Sequence, residues 1–309
     1  MKRSNKMLTA LSLAASITLA YMPAAAVGDS DVPEVQHLKI DSYSMPYIDI
    51  GEGEPVLFVH GAVADLRTWA SYLKPISQNH RYISYTRRWY GEQDWPDEKP
   101  VYSHDQHASD MARLIEALDA GPVHLVTWSS GAISSTILAA ERPELVKSIV
   151  HYEPVLDGVM EGVPGAGELK EKWNAQWGPV DEAAKAGDSD TAGRKLIELV
   201  FEMPEGGFDS TPKANQKIVL DNARTIALLF FSNDTKTHPD CEYLRKIQAP
   251  TKVLLGAETN EWWTLMSKTI NSCLPNSSLH KIDSVNHNGP LFAIDKIVSL
   301  INQHVSTVQ

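Results

Sequence analysis

The sequence predicts an α/β fold with a mainly parallel central sheet, helices on both faces and an inserted helical cap. From Val35 onward, short apolar runs alternate with longer amphipathic segments, the order expected of strand–helix–strand units. The run PVLFVH at 55–60 is almost continuously apolar, as expected of a strand covered on both faces. After Pro154 this rhythm stops and the pattern becomes mostly helical, so we expect residues 157–245 to form the cap.

The individual elements follow from hydrophobic periodicity and from turn residues. Residues 107–118 repeat apolar side chains at helical spacing, and Gly121-Pro122 ends that helix. We expect one core made of residues 27–156 and 246–309. The predicted strands are 35–40, 47–50, 55–60, 81–85, 123–127, 146–152, 251–255 and 279–282. The predicted helices are 69–76, 107–118, 131–140, 168–177, 191–201, 213–231, 262–273 and 292–305.

The first 26 residues have the layout of a secretory signal and are left out of the predicted fold. Lys2, Arg3 and Lys6 precede an apolar run at 7–20, and three alanines end at Ala26. The run is short for a bilayer span, so an uncleaved anchor is the weaker interpretation. We predict cleavage after Ala26, a secreted or periplasmic protein, and no stable membrane span once the signal is removed.

Composition limits the class of partner. The chain has 309 residues, of which 43% are hydrophobic, enough for one large core with an insertion. Its formal charge of −11 disfavours a phosphate backbone, so we expect no nucleic-acid partner. Export would permit a disulfide between Cys241 and Cys273, but the sequence leaves both that pairing and the oligomeric state open.

The segment TWSSG, which begins at Thr127, lies between a predicted strand and a predicted helix. A nucleophilic serine in a sharp strand-to-helix turn needs small residues two positions before and two after it. Gly131 satisfies this for Ser129, although Thr127 is larger than the usual glycine. Ser130 is the weaker candidate because Trp128 would then occupy a small position. The non-catalytic alternative is a serine that caps the helix.

The loop after the strand at 55–60 is the predicted source of one oxyanion donor. In a site of this kind, that loop supplies one backbone amide and the residue after the serine supplies the other, which names Ala62 and Ser130. Gly61 would allow a close approach, and we expect His60 to order the loop rather than move protons. Trp128 either lines an apolar substrate pocket or packs beneath the turn.

The predicted base is His287, which directly follows the last predicted strand. A neutral imidazole on that loop can take the serine proton, so activity should fall on acidification. Two residues compete for the acid that orients the imidazole. Glu153 ends the strand after the nucleophile and is favoured, and Glu258 follows the next strand. Thr259 fills the slot where an aspartate would be usual.

With these residues in place, the chain resembles the α/β-hydrolase superfamily over about residues 35–305. The Ser-Ser-Gly turn at Ser129, together with Glu153 after the following strand, resembles the zearalenone-lactonase-like branch. That resemblance implies a Ser-His-Glu triad and suggests lactone specificity. The haloalkane dehalogenases and epoxide hydrolases of the superfamily use an aspartate nucleophile, so Ser129 argues against both activities.

The expected activity is hydrolysis of a small-molecule carboxylic ester or lactone through an acyl-enzyme, with no cofactor. The sequence has no metal-ligand spacing such as H-E-x-x-H. A cofactor-free perhydrolase or a carbon–carbon bond hydrolase with the same triad is an alternative, and so is a non-catalytic ligand-binding protein. Trp89, Trp95, Trp262 and Trp263 are further candidates for the pocket wall.

Overall fold

A computed structural model describes residues 33–95 and 100–308, and the predicted signal segment lies outside these ranges. The described residues form one eight-stranded sheet, and the predicted fold class is confirmed. Its strands are β1 (Gln36–Ile40), β2 (Tyr43–Ile50), β3 (Pro55–Val59), β4 (Arg81–Tyr85), β5 (Val123–Trp128), β6 (Val146–Tyr152), β7 (Thr251–Gly256) and β8 (Ser277–Ile282).

The strands lie in the order β1-β2-β4-β3-β5-β6-β7-β8. From β4 to β8 all neighbours are parallel, whereas β1 pairs with β2 and β2 with β4 in antiparallel fashion. β2 begins at Tyr43, earlier than predicted, because the whole of Tyr43–Tyr47 pairs with β1 through a tight turn. The parallel part of the sheet is the part that carries the candidate site.

The alternation of side chains explains why the central strands are apolar throughout. In β3, Val56 and Phe58 enter the core on one face, whereas Leu57 and Val59 enter the core on the other. All four side chains are fully buried. A strand with helices on both faces needs apolar residues at every position, so the continuous run at 55–60 was a reliable signal.

Helices cover both faces of the sheet. α1 and α12 pack together on one face, and α2, α3 and α10 lie on the other. The helices are α1 (Ala70–Ser77), α2 (His104–Ala117), α3 (Gly131–Glu141), α4 (Ala166–Asn174), α5 (Gly178–Lys185), α6 (Ser189–Val200), α7 (Lys213–Asn222), α8 (Thr225–Phe231), α9 (Cys241–Leu244), α10 (Glu261–Cys273), α11 (Gly289–Phe292) and α12 (Ile294–Thr307).

The helical insertion, which we define as α4 to α8, lies between β6 and β7 in sequence. It has five helices where the sequence pattern predicted three. The pattern missed α5, which begins at Gly178 and has Pro179 in its first turn, where proline is tolerated. It also missed the boundary between α7 and α8, where Asn222 is fully buried and its side chain donates to Asp65 and accepts from the amide of Gly91.

A disulfide joins Cys241 to Cys273, with the two Cα atoms 5.1 Å apart. It connects the first residue of α9 to the last residue of α10. The chain that returns from the helical insertion is therefore held covalently to a core helix. Among the described residues, no helix combines the length and the apolar character that a bilayer crossing requires.

Candidate active site

The site lies at one edge of the sheet, where the carboxyl ends of four parallel strands meet. Gly61 follows β3, Ser129 follows β5, Glu153 follows β6, and His287 follows β8. In open α/β sheets this edge is where ligands bind, because the loops that leave it converge on one crevice. The sheet thus brings together residues that are far apart in sequence.

Ser129 lies in a strained turn between β5 and α3. Its φ of 54° is in the left-handed region, which non-glycine residues rarely adopt. Its amide donates to the carbonyl oxygen of Tyr152 at 3.1 Å, and its own carbonyl oxygen accepts from Val155 at 3.2 Å. These two bonds hold the turn against the end of β6, and the Ser129 side chain lines the cavity.

Thr127 takes the place of the small residue expected before the turn. It is fully buried, and its hydroxyl group shares a hydrogen bond of 2.5 Å with Nδ1 of His151 on β6. Burial lowers the pKa of His151 to about 3, so its ring is neutral. The larger side chain is accommodated because a buried polar partner on the next strand satisfies its hydroxyl group.

The predicted oxyanion donors, the amides of Ala62 and Ser130, lie on the two loops that meet at Ser129. A Cβ atom on Gly61 would lie 3.2 Å from Cβ of Ser129, which shows how closely the loops approach. Neither amide donates to an acceptor among residues 33–95 and 100–308. Both residues line the same cavity as Ser129, so their amides are available to a ligand.

His287 and Glu153 form a buried pair. Nδ1 of His287 lies 2.8 Å from Oε2 of Glu153, and the two side chains are 2% and 0% exposed. The other carboxylate oxygen of Glu153 accepts from the amide of Gly256 at 2.9 Å. A proton on Nδ1 directed at the carboxylate leaves Nε2 as the acceptor of the imidazole. Glu153 itself has a φ of 38°, so the residue that directly follows each of β5 and β6 has a strained, left-handed backbone.

The structure does not bring the alternative acid, Glu258, to His287. Glu258 is exposed, two residues after the end of β7, and its amide donates to the carbonyl oxygen of Val285. Thr259, in the slot where the sequence analysis expected an aspartate, donates its hydroxyl group to Oε2 of Glu153 at 3.2 Å. Thr259, at the position where an aspartate would be usual, therefore stabilises the carboxylate of Glu153, which comes from the neighbouring strand.

Three aromatic rings hold the imidazole of His287. Trp263 of α10 stacks on it with ring centroids 4.2 Å apart and an angle of 18° between planes. Nε1 of Trp128 donates to the backbone oxygen of His287 at 3.0 Å, and the Trp128 ring stacks on Phe201. Trp128 thus packs at the turn and also lines the cavity, so the two roles left open by the sequence coexist in its position.

A cavity of about 790 Å³ opens above Ser129 and His287. A volume of that size suits a ligand of the size of a drug molecule, since such pockets span roughly 300–1,000 Å³. Its walls come from the loops at the sheet edge and from the helical insertion. The aromatic residues in these walls are Trp128, Trp173, Trp177, Phe201, Phe230, Phe231, Trp262 and Trp263.

Sequence reasoning identified only part of this wall. Trp262 and Trp263 line the cavity, but Trp89 and Trp95 pack against each other elsewhere, 6.0 Å apart. Trp173 and Trp177 were missed, although they form a T-shaped pair 5.8 Å apart that lines the cavity. Their spacing of four residues would place both indoles on one side of the predicted helix 168–177, but it does not indicate the cavity that they face, and α4 itself ends at Asn174.

The described residues contain no group of three or more His, Cys, Asp or Glu side chains arranged to hold a metal ion. The chemistry of the cavity floor is instead that of a hydroxyl group, an imidazole and a carboxylate, with two backbone amides beside them. These are the groups required for nucleophilic attack on an acyl carbon.

Residues 54–195 match the family model described as alpha/beta hydrolase fold. The bromoperoxidase from Bacillus anthracis is similar, with a TM-score of 0.69 and 19% identity, over 88% of this chain and 100% of that one. The thermophilic esterase from Thermogutta terrifontis is similar with a TM-score of 0.64 and 19% identity, over 89% of this chain and 99% of that one. Est816, an N-acyl homoserine lactone degrading enzyme, is similar with a TM-score of 0.58 and 22% identity, over 87% of this chain and 99% of that one.

These identities are low, so the likeness to each solved structure concerns the fold. Together with the family match and the strand order, they define the class of the protein. The chain has the α/β-hydrolase fold, and its residues 54–195 match the family model of that fold.

Replacing Gly131 with alanine tests the packing beneath the turn. An added Cβ atom would lie 2.6 Å from the carbonyl oxygen of His60 and 2.9 Å from that of Val59. Because both neighbours are backbone, we expect Gly131→Ala to destabilise the fold by about 1–3 kcal/mol. Gly167→Ala is the control, since nothing lies within 4 Å of its added Cβ atom. Equal urea midpoints for the two variants would contradict the packing argument.

Proposed function

We propose that the protein is a serine hydrolase that cleaves a carboxylic ester or lactone with a Ser129–His287–Glu153 triad. The observation that supports this most directly is the buried 2.8 Å contact between His287 and Glu153, beside a cavity that Ser129 also lines. A histidine oriented by a carboxylate, with a serine on a strained strand-to-helix turn nearby, is the arrangement of a general base and its nucleophile.

In the first half of the reaction, Oγ of Ser129 attacks the acyl carbon while Nε2 of His287 accepts the hydroxyl proton. The negative charge that develops on the acyl oxygen is bound by the amides of Ala62 and Ser130. As the bond to the leaving oxygen breaks, the imidazolium of His287 returns its proton to that oxygen. The alcohol leaves, or stays attached when the substrate is a lactone, and an acyl-enzyme remains.

In the second half, a water molecule attacks the acyl-enzyme and gives its proton to Nε2 of His287. The same two amides bind the oxyanion again, and Ser129 recovers its proton as the acid is released. Glu153 accepts from Nδ1–H of His287 in both halves of the reaction and so holds that tautomer of the imidazole. Loss of one amide donor typically lowers the rate by about 10²–10³.

The shape of the cavity supports a bulky apolar substrate. Trp173, Trp177 and Phe230 come from the helical insertion, and Trp263 and Phe201 flank the imidazole. Flat aromatic walls favour ring-containing or long apolar acyl groups, because these bury much area against them. Assignment to the zearalenone-lactonase-like branch is part of this proposal and rests on the Ser-Ser-Gly turn combined with Glu153.

Covalent labelling gives the direct test of the nucleophile. We expect a fluorophosphonate probe to label the wild-type protein, and Ser129→Ala to abolish both labelling and turnover of an ester and lactone panel. Ser130→Ala is the control, because its backbone amide remains in place and it should still be labelled. Labelling that persists in Ser129→Ala would contradict the assignment, as would turnover of only peracid or carbon–carbon substrates by the wild type.

Two matched glutamate variants test the acid. Glu153→Gln should lower kcat by a factor of about 10³–10⁴, because the amide no longer fixes the imidazole tautomer. Glu258→Gln changes the same functional group at an exposed position of the neighbouring loop, and we expect it to retain wild-type kcat. Steady-state kinetics on one ester decides between them. A fully active Glu153→Gln beside an inactive Glu258→Gln would reverse the assignment.

We also propose that the protein is exported and that its signal is removed after Ala26. The charged start, the short apolar run and the three alanines support this, and the disulfide Cys241–Cys273 suits an oxidising compartment. When the full chain is expressed in a host with a secretory pathway, the exported protein should begin at Val27. Intact-mass measurement checks this, and an exported chain that retains Met1 would contradict it.

A further inference from the structure

A fully buried arginine lies behind the loop that carries Ala62. Arg87 follows β4 and is 0% exposed, and its Nη2 atom donates to the carbonyl oxygen of Gly61 at 2.7 Å. The guanidinium also contacts the ring of Tyr90, 4.5 Å from the guanidinium carbon, and the hydroxyl group of Tyr102 at 3.4 Å. Within residues 33–95 and 100–308, no carboxylate forms an ion pair with Arg87.

The adjacent arginine shows how this fold normally accommodates such a charge. Arg88 reaches Asp110 through two bonds of 2.8 Å, in a fork-to-carboxylate arrangement. Arg87 is more deeply buried than Arg88, and among the described residues its guanidinium contacts a carbonyl oxygen, a hydroxyl group and an aromatic ring. Burying a cation without an opposite charge opposes folding, so its presence at this position calls for a role other than stability.

The carbonyl group that Arg87 contacts belongs to the peptide unit of a predicted oxyanion donor. The C=O of Gly61 and the N–H of Ala62 share one planar, resonance-stabilised amide. A cation at the oxygen draws electron density from the nitrogen, and the N–H becomes a stronger donor. The positive charge contacts the oxygen end of the peptide whose N–H is the predicted donor, and no carboxylate of the described residues pairs with it, so its field adds to that donor.

His60 acts on the same carbonyl oxygen. The amide of Arg87 donates to Nε2 of His60 at 3.0 Å, so the proton of the neutral ring lies on Nδ1. That Nδ1 atom is 2.9 Å from the carbonyl oxygen of Gly61. Burial lowers the pKa of His60 well below its ordinary value, which keeps the ring neutral. Gly61 therefore accepts from both side chains, and its peptide unit is held in one orientation.

We propose that Arg87 is a positioning residue that polarises the Gly61–Ala62 peptide and stabilises the oxyanion from behind the loop. This inference rests on the proposed serine-hydrolase function, because it assigns Arg87 a part in the step where negative charge appears. Arg87 is buried and does not line the cavity. It can therefore act on the oxyanion through its charge without contacting the substrate.

Kinetics and binding of a tetrahedral mimic test the proposal. Arg87→Met should lower kcat by a factor on the order of 10 to 100, less than the loss of a donor itself. Affinity for phenylboronic acid, which forms an anionic adduct with an active serine, should fall in proportion, while KM changes by less than about threefold. Tyr102→Phe is the matched control: it removes one contact of Arg87 but keeps the charge, so kcat should be retained.

Wild-type kcat and boronate affinity in Arg87→Met would overturn the proposal, as would equal weakening of the boronate and of a neutral competitive product. If Arg87→Met does not fold, Arg87→Gln takes its place under the same criteria. Arg87→Lys gives an independent result: kcat within about tenfold of wild type supports a role for the charge, and a larger loss contradicts it. A wild-type protein that neither binds a fluorophosphonate nor hydrolyses any ester would instead overturn the serine-hydrolase proposal.

Discussion

The common edge of the parallel strands is the constraint on which the rest of the site depends. Glu153 and His287 are 134 positions apart in the chain, yet they meet because β6 and β8 end at the same edge. The left-handed backbone at Ser129 and Glu153 costs on the order of 1–3 kcal/mol at each residue. A sheet buried on both faces holds both residues in place, because relaxing either turn would displace strands that are packed on two sides.

Two buried polar side chains beside the imidazole, Glu153 and Trp128, each tie separate loops together. Glu153 accepts from Gly256, Thr259 and His287, so the loop after β7 and the loop after β8 are tied to the end of β6. Trp128 connects the serine turn to the histidine loop through a single indole N–H. Removal of any one of these groups therefore disturbs the spacing between two loops as well as the contact itself.

The floor of the site could be predicted from the sequence, but only part of its walls could. Ser129, Glu153 and His287 each follow a strand that is recognisable from its apolar run, so topology alone brings the three loops to one edge. Trp173 and Trp177 could not be placed, because the helices of the insertion have no hydrogen-bonded register with the sheet. Thr259 and Arg87 were also beyond reach, since their importance depends on where a side chain points once the loops have folded.

The helical insertion and the sheet contribute different things to the cavity. The sheet edge supplies the groups that are arranged for chemistry, and the insertion supplies Trp173, Trp177 and Phe230 as part of the enclosing surface. Because the insertion leaves the chain after β6 and returns before β7, its sequence can diverge without altering the register of any strand. Substitutions in the insertion can thus change which molecules enter the cavity while Ser129, Glu153 and His287 keep their positions at its floor.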